Sequence, residues 1–392
     1  MTHQFDTIVE RRHTHSLKWD FGQERFGRAD ILPMWVADMD FLSSDAIIKA
    51  INKRTQHGIF GYTNANDELA SALKDWGKRR HNYSIEKNWV ITSPGVVTSV
   101  TMALLAFTKE QDKVLLQTPI YYPFYDCIQQ HNRELVRNPL KQLKNGRYDI
   151  DFDDLKQKLS SGVKLMILCS PHNPIGRVWS KEDLLKIMLL CKQYQVLLLS
   201  DEIHCDLVFS DVTQTSLLAF NESDIQNIIV LNSPTKTFNI AGLSVSNVII
   251  PNSHLRDSFA HALHKYGADN INILGVEAAI AAYRLGDEWL DALLRYLEEN
   301  LAFLERYIED ELPVIKLIKP EATYLAWLDF NALPIAAEDI KPFLVEKAGV
   351  GLNEGTTFGP EGIGYQRLNF ACPRKTLVEG LEKIKQAVKG LD

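Results

Sequence analysis

The chain has few cysteines, five among 392 residues, and their arrangement gives no sign of a structural use. No two form a CxxC pair or stand beside a histidine at metal-ligand spacing, so the sequence predicts no disulfide framework and no metal site. Scattered, reduced thiols are typical of the cytoplasm, and a cytoplasmic protein is the expectation. The five are Cys127, Cys169, Cys191, Cys205 and Cys372.

Long apolar runs and long basic runs are also missing. No apolar stretch approaches the roughly 18–20 residues that a membrane-spanning helix needs. The segment Met1–Asp6 lacks the apolar core and the small-residue cleavage site of a signal peptide. The formal net charge is −7, and no basic cluster suits a nucleic acid. Neither a membrane nor a nucleic acid is therefore expected as a partner.

The chain does contain an alternation of helical and strand-like patterns, which starts near residue 45. Continuous apolar runs such as Leu165–Cys169 are typical of parallel strands covered on both faces. Strands that alternate with helices indicate an α/β fold with a doubly wound, mostly parallel sheet. We predict a large domain at 46–287, and a smaller α+β domain formed by 1–45 and 288–392.

Polar residues stand just past three successive apolar strands: Asn173, Asp201 and Lys236. They are 28 and 35 residues apart, close to the roughly 30 residues of one strand–helix–strand unit. The carboxyl ends of neighbouring parallel strands meet at one edge of the sheet, where ligands bind. An amine, a carboxylate and an amide at one edge suit pyridoxal phosphate (PLP). The amine forms a Schiff base with the aldehyde, the carboxylate pairs with the pyridine nitrogen, and the amide reaches the ring oxygen.

The phosphate of that cofactor needs hydrogen-bond donors. Gly95 directly precedes a mostly apolar helical run at 96–107, and the N-terminus of a helix favours an anion. The hydroxyl groups of Ser233 and Thr235, just before Lys236, add further donors. We therefore predict that the phosphate lies at the start of this helix.

Eight motifs follow one another between about residues 31 and 374: Trp35–Phe41, Phe60–Tyr62, Ser93–Val97, Thr118–Phe124, Pro171–Gly176, Ser200–His204, Thr235–Leu243 and Arg367–Ala371. In this order they resemble those of fold-type I PLP enzymes of the aminotransferase class I/II superfamily. Within it, the chain is similar to the MalY/PatB type of cystathionine β-lyase, a C–S lyase branch. The resemblance implies the aspartate aminotransferase-like PLP-dependent transferase fold, and a homodimer whose sites are shared between subunits.

The resemblance also implies roles for individual residues. Lys236 is the Schiff-base lysine and the proton-transfer base, Asp201 partners the pyridine nitrogen, and Tyr121 stacks on the ring; these three are the expected catalytic residues. Arg367 clamps the substrate carboxylate, which a planar guanidinium binds bidentately. The expected cofactor-binding residues are Tyr62, Gly95, Val96, Val97, Tyr121, Asn173, Asp201, His204, Ser233 and Lys236. The expected substrate-binding residues are Ala37, Tyr62, Asn173 and Arg367.

Two positions depart from the wider aminotransferase pattern. His204 stands where that pattern has a tyrosine, and Ser244 stands where it has an arginine. Both changes occur in the lyase branch, so they favour a lyase. The role of His204 stays open between a contact to the ring oxygen and a packed histidine.

The predicted function is β-elimination, in which cystathionine or another cysteine S-conjugate gives a thiol, pyruvate and ammonia. Lys236 would remove the Cα proton, which requires a pKa below the ordinary lysine value of about 10.4. Two alternatives are compatible with the same motifs. One is an aminotransferase that uses a 2-oxo acid acceptor, and the other is a regulatory binding protein that keeps the fold.

Overall fold

A computed structural model of the protein describes residues 5–64 and 66–391. Its helices are α1 Gly22–Phe26, α2 Asp45–Gln56, α3 Asn66–His81, α4 Val96–Phe107, α5 Pro123–Gln129, α6 Phe152–Leu159, α7 Lys181–Gln193, α8 Pro234–Thr237, α9 Ser253–Lys265, α10 Ile273–Leu285, α11 Asp287–Glu311, α12 Ile340–Phe343 and α13 Arg374–Lys389.

The strands are β1 Leu32–Pro33, β2 Val90–Ser93, β3 Lys113–Thr118, β4 Glu134–Pro139, β5 Lys141–Gln142, β6 Tyr148–Asp149, β7 Val163–Cys169, β8 Leu197–Asp201, β9 Ile228–Asn232, β10 Ser246–Ile249, β11 Lys316–Ile318, β12 Leu325–Asp329, β13 Val350–Gly351, β14 Asn353–Glu354 and β15 Tyr365–Asn369.

The larger sheet has seven strands in the order β2-β10-β9-β8-β7-β3-β4. The pairs from β9 to β4 are parallel, whereas β10 runs antiparallel to both of its neighbours. The prediction of a mostly parallel α/β sheet is therefore confirmed. The strands that end near Asn173, Asp201 and Lys236 are adjacent, because β8 lies between β7 and β9.

Apolar side chains cover both faces of this sheet. In β8, Leu197 and Leu199 belong to a core cluster that includes Phe259 of α9, while Leu198 belongs to another cluster that includes Trp76 of α3. Successive side chains of a strand point to opposite faces, so helices pack on each side. This double burial explains why the central strands read as continuous apolar runs rather than as alternating ones.

The second sheet is antiparallel, with the order β11-β12-β15-β14. The early strand β1 pairs in parallel with β13, so the segment before α2 joins the C-terminal unit. The 25-residue helix α11 leads from the large sheet into this unit. We propose the boundary of the domains near Gly286, where α10 ends and α11 begins.

Several elements differ from the sequence expectation. The edge strand β4 and the helix α6 were not predicted, because polar residues interrupt the apolar pattern of both segments. The segment 337–348 is not one regular α-helix, because α12 follows a 3₁₀ turn at Ala337–Asp339 and is followed by a π-helical turn at Leu344–Ala348. At the start of α7, Ser180 caps the helix, since its hydroxyl accepts the N–H of Asp183 at 3.0 Å.

Among the described residues, the helices include none with both the length and the apolar character to cross a membrane.

Gly176 forms a close contact between the two units. Its carbonyl accepts the N–H groups of Glu321 and Ala322 at 2.8 and 3.1 Å. Its φ is 65°, and a Cβ here would lie 2.3 Å from the Cβ of Pro320. A side chain at this position would therefore combine backbone strain with a clash.

The substitution Gly176→Ala should lower the free energy of unfolding by about 2–4 kcal/mol, since the φ cost and overpacking act together. Urea unfolding of the cofactor-free protein would measure this. The matched control is Gly267→Ala, because Gly267 has a φ of 68° with open space around it. The control should lose only about 1–2 kcal/mol. Equal losses for the two variants would contradict a tight contact at Gly176.

Candidate active site

The three polar residues at the strand ends line one cavity of about 270 Å³. Asp201 is the last residue of β8, Asn173 follows β7, and Lys236 lies in the short helix α8 after β9. In the register of the sheet, Asp201 pairs with Cys169 on one side and Leu231 on the other. The wall residues also include Ala37, Gly95, Val96, Val97, Thr98, Tyr121, Ile203, His204, Thr235, Ala241, Ser244 and Val245.

Lys236 projects from a tight turn. Ser233 caps α8 by accepting the N–H of Thr235 at 3.1 Å, and Pro234 opens the helix. The amine Nζ donates to the carbonyl of Ala37 at 2.7 Å. Burial, together with the charge of Arg367, lowers the pKa of Lys236 to about 8 despite the opposing carboxylates. The amine is therefore a far better base near neutral pH than an ordinary lysine.

Asp201 is a buried carboxylate with little support for its charge. Its Oδ1 accepts the N–H of Ile203 at 3.1 Å. Burial, with a contribution from the neighbouring Glu202, raises the pKa of Asp201 to about 7, although Lys236 acts in the opposite direction. A cation placed against this carboxylate would favour its ionised form.

Arg367 lies in β15 of the smaller sheet and is 2% exposed. Its Nη1 donates to Asn173 Oδ1 at 2.9 Å, and its Nη2 donates to the carbonyl of Trp35 at 3.0 Å. Burial lowers the pKa of Arg367 to about 10. Among the described residues its Nε has no hydrogen-bond partner and the guanidinium makes no ion pair. A buried guanidinium that has no carboxylate as an ion-pair partner is suited to bind an anionic ligand.

Two further residues on the cavity wall are held neutral. Burial, with a smaller effect of Tyr122, raises the pKa of Tyr121 to about 12. Burial and the nearby positive charges of Lys236 and Arg367 lower the pKa of His204 to about 3. The Nδ1 of His204 is buried with no partner in the described part of the chain. Its two open roles, ring-oxygen contact and packing, therefore both remain compatible with the geometry.

The other end of the cavity is formed by the start of α4. Gly95 precedes the helix, and the first turn carries Val96 and Val97 with no acidic side chain. Ser233, in contrast, does not line the cavity. Its hydroxyl donates to the carbonyl of Val245 at 2.8 Å. Thr98 and Ser244, which were not expected as binding residues, offer hydroxyl groups on this wall.

Tyr62 lies apart from this cavity. Its side chain is fully exposed, in a loop that also exposes Ile59 and Phe60. It therefore takes no part in the site formed by its own chain, and its expected role across a dimer stays a prediction.

The segment 35–41 lies over the site and is held through its backbone carbonyls. The carbonyl of Ala37 accepts both Lys236 Nζ and the hydroxyl of Tyr324, the latter at 3.0 Å. Asn369 donates to the carbonyls of Val36 and Asp38. Asn239 and Asn353 hold other carbonyls of the same segment. Sequence reasoning missed Tyr324 and Asn353, because neither stands in a motif with the residues that it contacts.

An ion cluster holds the outer side of the same segment. Arg11 contacts Asp38 and Asp40 at 2.7 and 2.6 Å, and Lys18 contacts Asp40 at 2.7 Å. Trp19 Nε1 donates to Asp40 at 2.8 Å. The N-terminal segment thus neutralises the acids that stand beside the site.

These features fit PLP. The cofactor would be bonded by Lys236, its ring nitrogen would meet the buried carboxylate of Asp201, and its phosphate would lie at the start of α4. The amide of Asn173 and the neutral imidazole of His204, whose Nδ1 has no partner among the residues described, line the space between these ends.

Comparison with known proteins agrees with this geometry. The family model for aminotransferase class I and II matches residues 29–384. The chain belongs to the aminotransferase class I and II family. It is 43% identical to cystathionine beta-lyase PatB of Bacillus subtilis, over 98% of this chain and 99% of that protein. It is 35% identical to protein MalY of Escherichia coli, over 99% of each chain.

Among solved structures, cystalysin from Treponema denticola, which contains a pyridoxal 5'-phosphate cofactor, matches with a TM-score of 0.96. The two are 34% identical, and the match covers 100% of both chains. The aspartate aminotransferase-like fold and the PLP dependence that the motifs implied are therefore confirmed for this family member.

The raised pKa of Asp201 predicts a pH-dependent stability of the cofactor-free protein. Between about pH 4 and pH 7 the folded chain keeps a proton that the unfolded chain releases, so the free energy of unfolding falls as the pH rises. Asp201→Asn should therefore be more stable than the parent at pH 8, by up to about 4 kcal/mol. The difference should shrink toward pH 4.

Urea unfolding at several pH values would measure this effect. Asp257→Asn, at an exposed position of α9, serves as the control and should match the parent. Equal stability of Asp201→Asn and the parent at pH 8 would show that burial does not desolvate the carboxylate of Asp201.

Proposed function

We propose that the protein is a PLP-dependent carbon–sulfur β-lyase that cleaves cystathionine or a related cysteine S-conjugate. With cystathionine, one water is consumed, and homocysteine, pyruvate and ammonia are released. The observation that carries this proposal is near-full-length similarity to a cystathionine β-lyase. The cavity of this chain contains Lys236, whose pKa is lowered to about 8, and its wall residue Asn173 accepts a hydrogen bond from the buried guanidinium of Arg367.

Arg367 binds the α-carboxylate of the substrate. Among the described residues its Nε has no hydrogen-bond partner and its Nη groups donate only to a neutral amide and a carbonyl, so a carboxylate supplies the negative charge that the guanidinium lacks. Asn173, which accepts from Nη1, fixes the plane of the guanidinium. Substrate orientation is thereby tied to the small sheet and the large sheet at once.

Lys236 takes the proton from Cα. With a pKa of about 8, about half of the amine is neutral at pH 8, against about one part in 300 for a lysine with a pKa of 10.5. The bound PLP supplies the electron sink that makes the Cα proton acidic. Asp201 favours the protonated ring nitrogen, and Tyr121 keeps its phenolic proton at neutral pH because its pKa is about 12.

We also propose that the protein is a homodimer whose second subunit completes each site. Tyr62 is fully exposed, and the same loop exposes Ile59 and Phe60, which suits burial against a second copy of the chain. Tyr62 would then reach the phosphate end of the partner's cavity. We place the enzyme in the cytoplasm, since all five cysteines are free and buried.

The purified protein with PLP should release thiol and pyruvate from cystathionine without any 2-oxo acid. Lys236→Ala should reduce kcat by at least about 10³-fold, since both the covalent and the proton-transfer roles are lost. Lys265→Ala, on the exposed end of α9, is the control and should keep full activity. Glutamate formation that depends on 2-oxoglutarate, without pyruvate, would instead identify an aminotransferase.

A mixed-dimer experiment tests the shared site. Tyr62→Ala and Lys236→Ala should each be nearly inactive, and mixing them under conditions of subunit exchange should restore about a quarter of the parent activity. Half of the dimers are then mixed, and each has one complete site of two. Absence of any recovery, with exchange verified by mass spectrometry of tagged subunits, would contradict the role of Tyr62 across the dimer.

A further inference from the structure

The turn that carries Lys236 is held at both ends by one dipeptide, Cys205-Asp206, in the loop after β8. At the front of the turn, Asn232 Nδ2 donates to Cys205 Sγ at 3.2 Å. At the back, Thr237 Oγ1 donates to Asp206 Oδ2 at 2.8 Å. The four side chains that make these contacts are buried, and they lie beneath the cavity and do not line its wall.

Asp206 is the centre of this network. Its Oδ1 accepts Trp76 Nε1 at 2.9 Å and His81 Nε2 at 2.6 Å, both from α3. Burial acts to raise the pKa of Asp206, but the hydrogen bonds and charge of His81, with Thr237 and Trp76, lower it below the ordinary value. The carboxylate is therefore ionised and held by three donors, which makes it a rigid support.

Lys236 depends on this support because its amine makes few hydrogen bonds of its own. Its Nζ donates only to the carbonyl of Ala37 among the described residues. That bond must be given up when the amine reacts. The position of the amine is then set by the backbone of the turn, and Thr237 is the next residue along it.

We propose that Asp206, acting through the hydroxyl of Thr237, is a positioning residue that fixes the Lys236 turn beneath the cavity. The inference rests on the proposed function only in taking Lys236 as the reacting amine. Neither Asp206 nor Thr237 lines the cavity, so both act through the turn and not by touching the substrate.

A metal site is the competing interpretation of the same residues. His81 Nε2, Cys205 Sγ and Asp206 Oδ1 lie within 4.8 Å of one another, and such atoms can bind zinc. Each, however, already has a hydrogen-bond partner: His81 donates to Asp206, and Cys205 accepts from Asn232. A metal ion would have to break this network, so the geometry favours the positioning role.

The test compares Thr237→Val, which removes the hydroxyl at equal size, with Thr237→Ser, which keeps it. The first readout uses cofactor-free protein: the rate at which Lys236 is acetylated by acetic anhydride is followed against pH by peptide mass spectrometry. The parent should show a midpoint near pH 8. The valine variant should shift this midpoint upward by about one unit, since a loosened turn lets water reach the amine. The serine variant should keep it.

The second readout is steady-state kinetics with PLP. Thr237→Val should lower kcat by about 10-fold or more with KM nearly unchanged, because a small displacement of a reacting group is costly. Thr237→Ser should restore most of the loss. The control is Thr108→Val, since Thr108 is also buried and loses a comparable bond to the carbonyl of Leu104 at the far end of α4. It should change thermal stability without changing either readout.

A parent-like midpoint and kcat in Thr237→Val would overturn the proposal, whatever the variant's stability. If that variant does not fold, Asp206→Asn replaces it, because it keeps the size of the side chain and loses at least one of the three acceptor contacts. The acetylation readout needs neither cofactor nor substrate. It therefore answers the positioning question even if the protein proves not to be a lyase.

Discussion

The parallel register of β7, β8 and β9 is the constraint on which the site depends. Because Asp201 pairs with Cys169 and Leu231, the residues that follow each strand emerge side by side. Close packing on both faces fixes that register, since a slip of one residue would move each side chain to the other face and against different neighbours. The core thus sets where each strand ends, and hydrogen bonds such as that of Thr237 to Asp206 then hold the turns that follow.

Four ionisable side chains in and beside the site have displaced pKa values, although the guanidinium of Arg367 stays charged near neutral pH. Burial displaces the pKa of Asp201 upward and the pKa values of Lys236, Arg367 and His204 downward. Each displacement costs free energy of folding. The fold tolerates this because the surrounding core is large, and a ligand with complementary charges would reverse much of the cost.

The sequence predicted the residues that follow strands, because a strand, a turn and a polar residue form a local pattern. Asn173, Asp201, Lys236 and the helix start at Gly95 were found in this way, and the structure brings them to one cavity. The residues that support them could not be predicted from such a local pattern. Asp206 and His81 are 125 positions apart, and Tyr324 reaches Ala37 across 287 positions. Such contacts depend on how elements pack, and no local pattern encodes them.

The carbonyl of Ala37 has two donors, the amine of Lys236 and the hydroxyl of Tyr324. When the amine moves away to react, the carbonyl keeps one donor from the smaller sheet. A buried acceptor without any donor costs roughly 1–3 kcal/mol, and the second donor spares the protein that penalty at each turnover. The departure of the amine therefore leaves no buried acceptor at Ala37 without a donor.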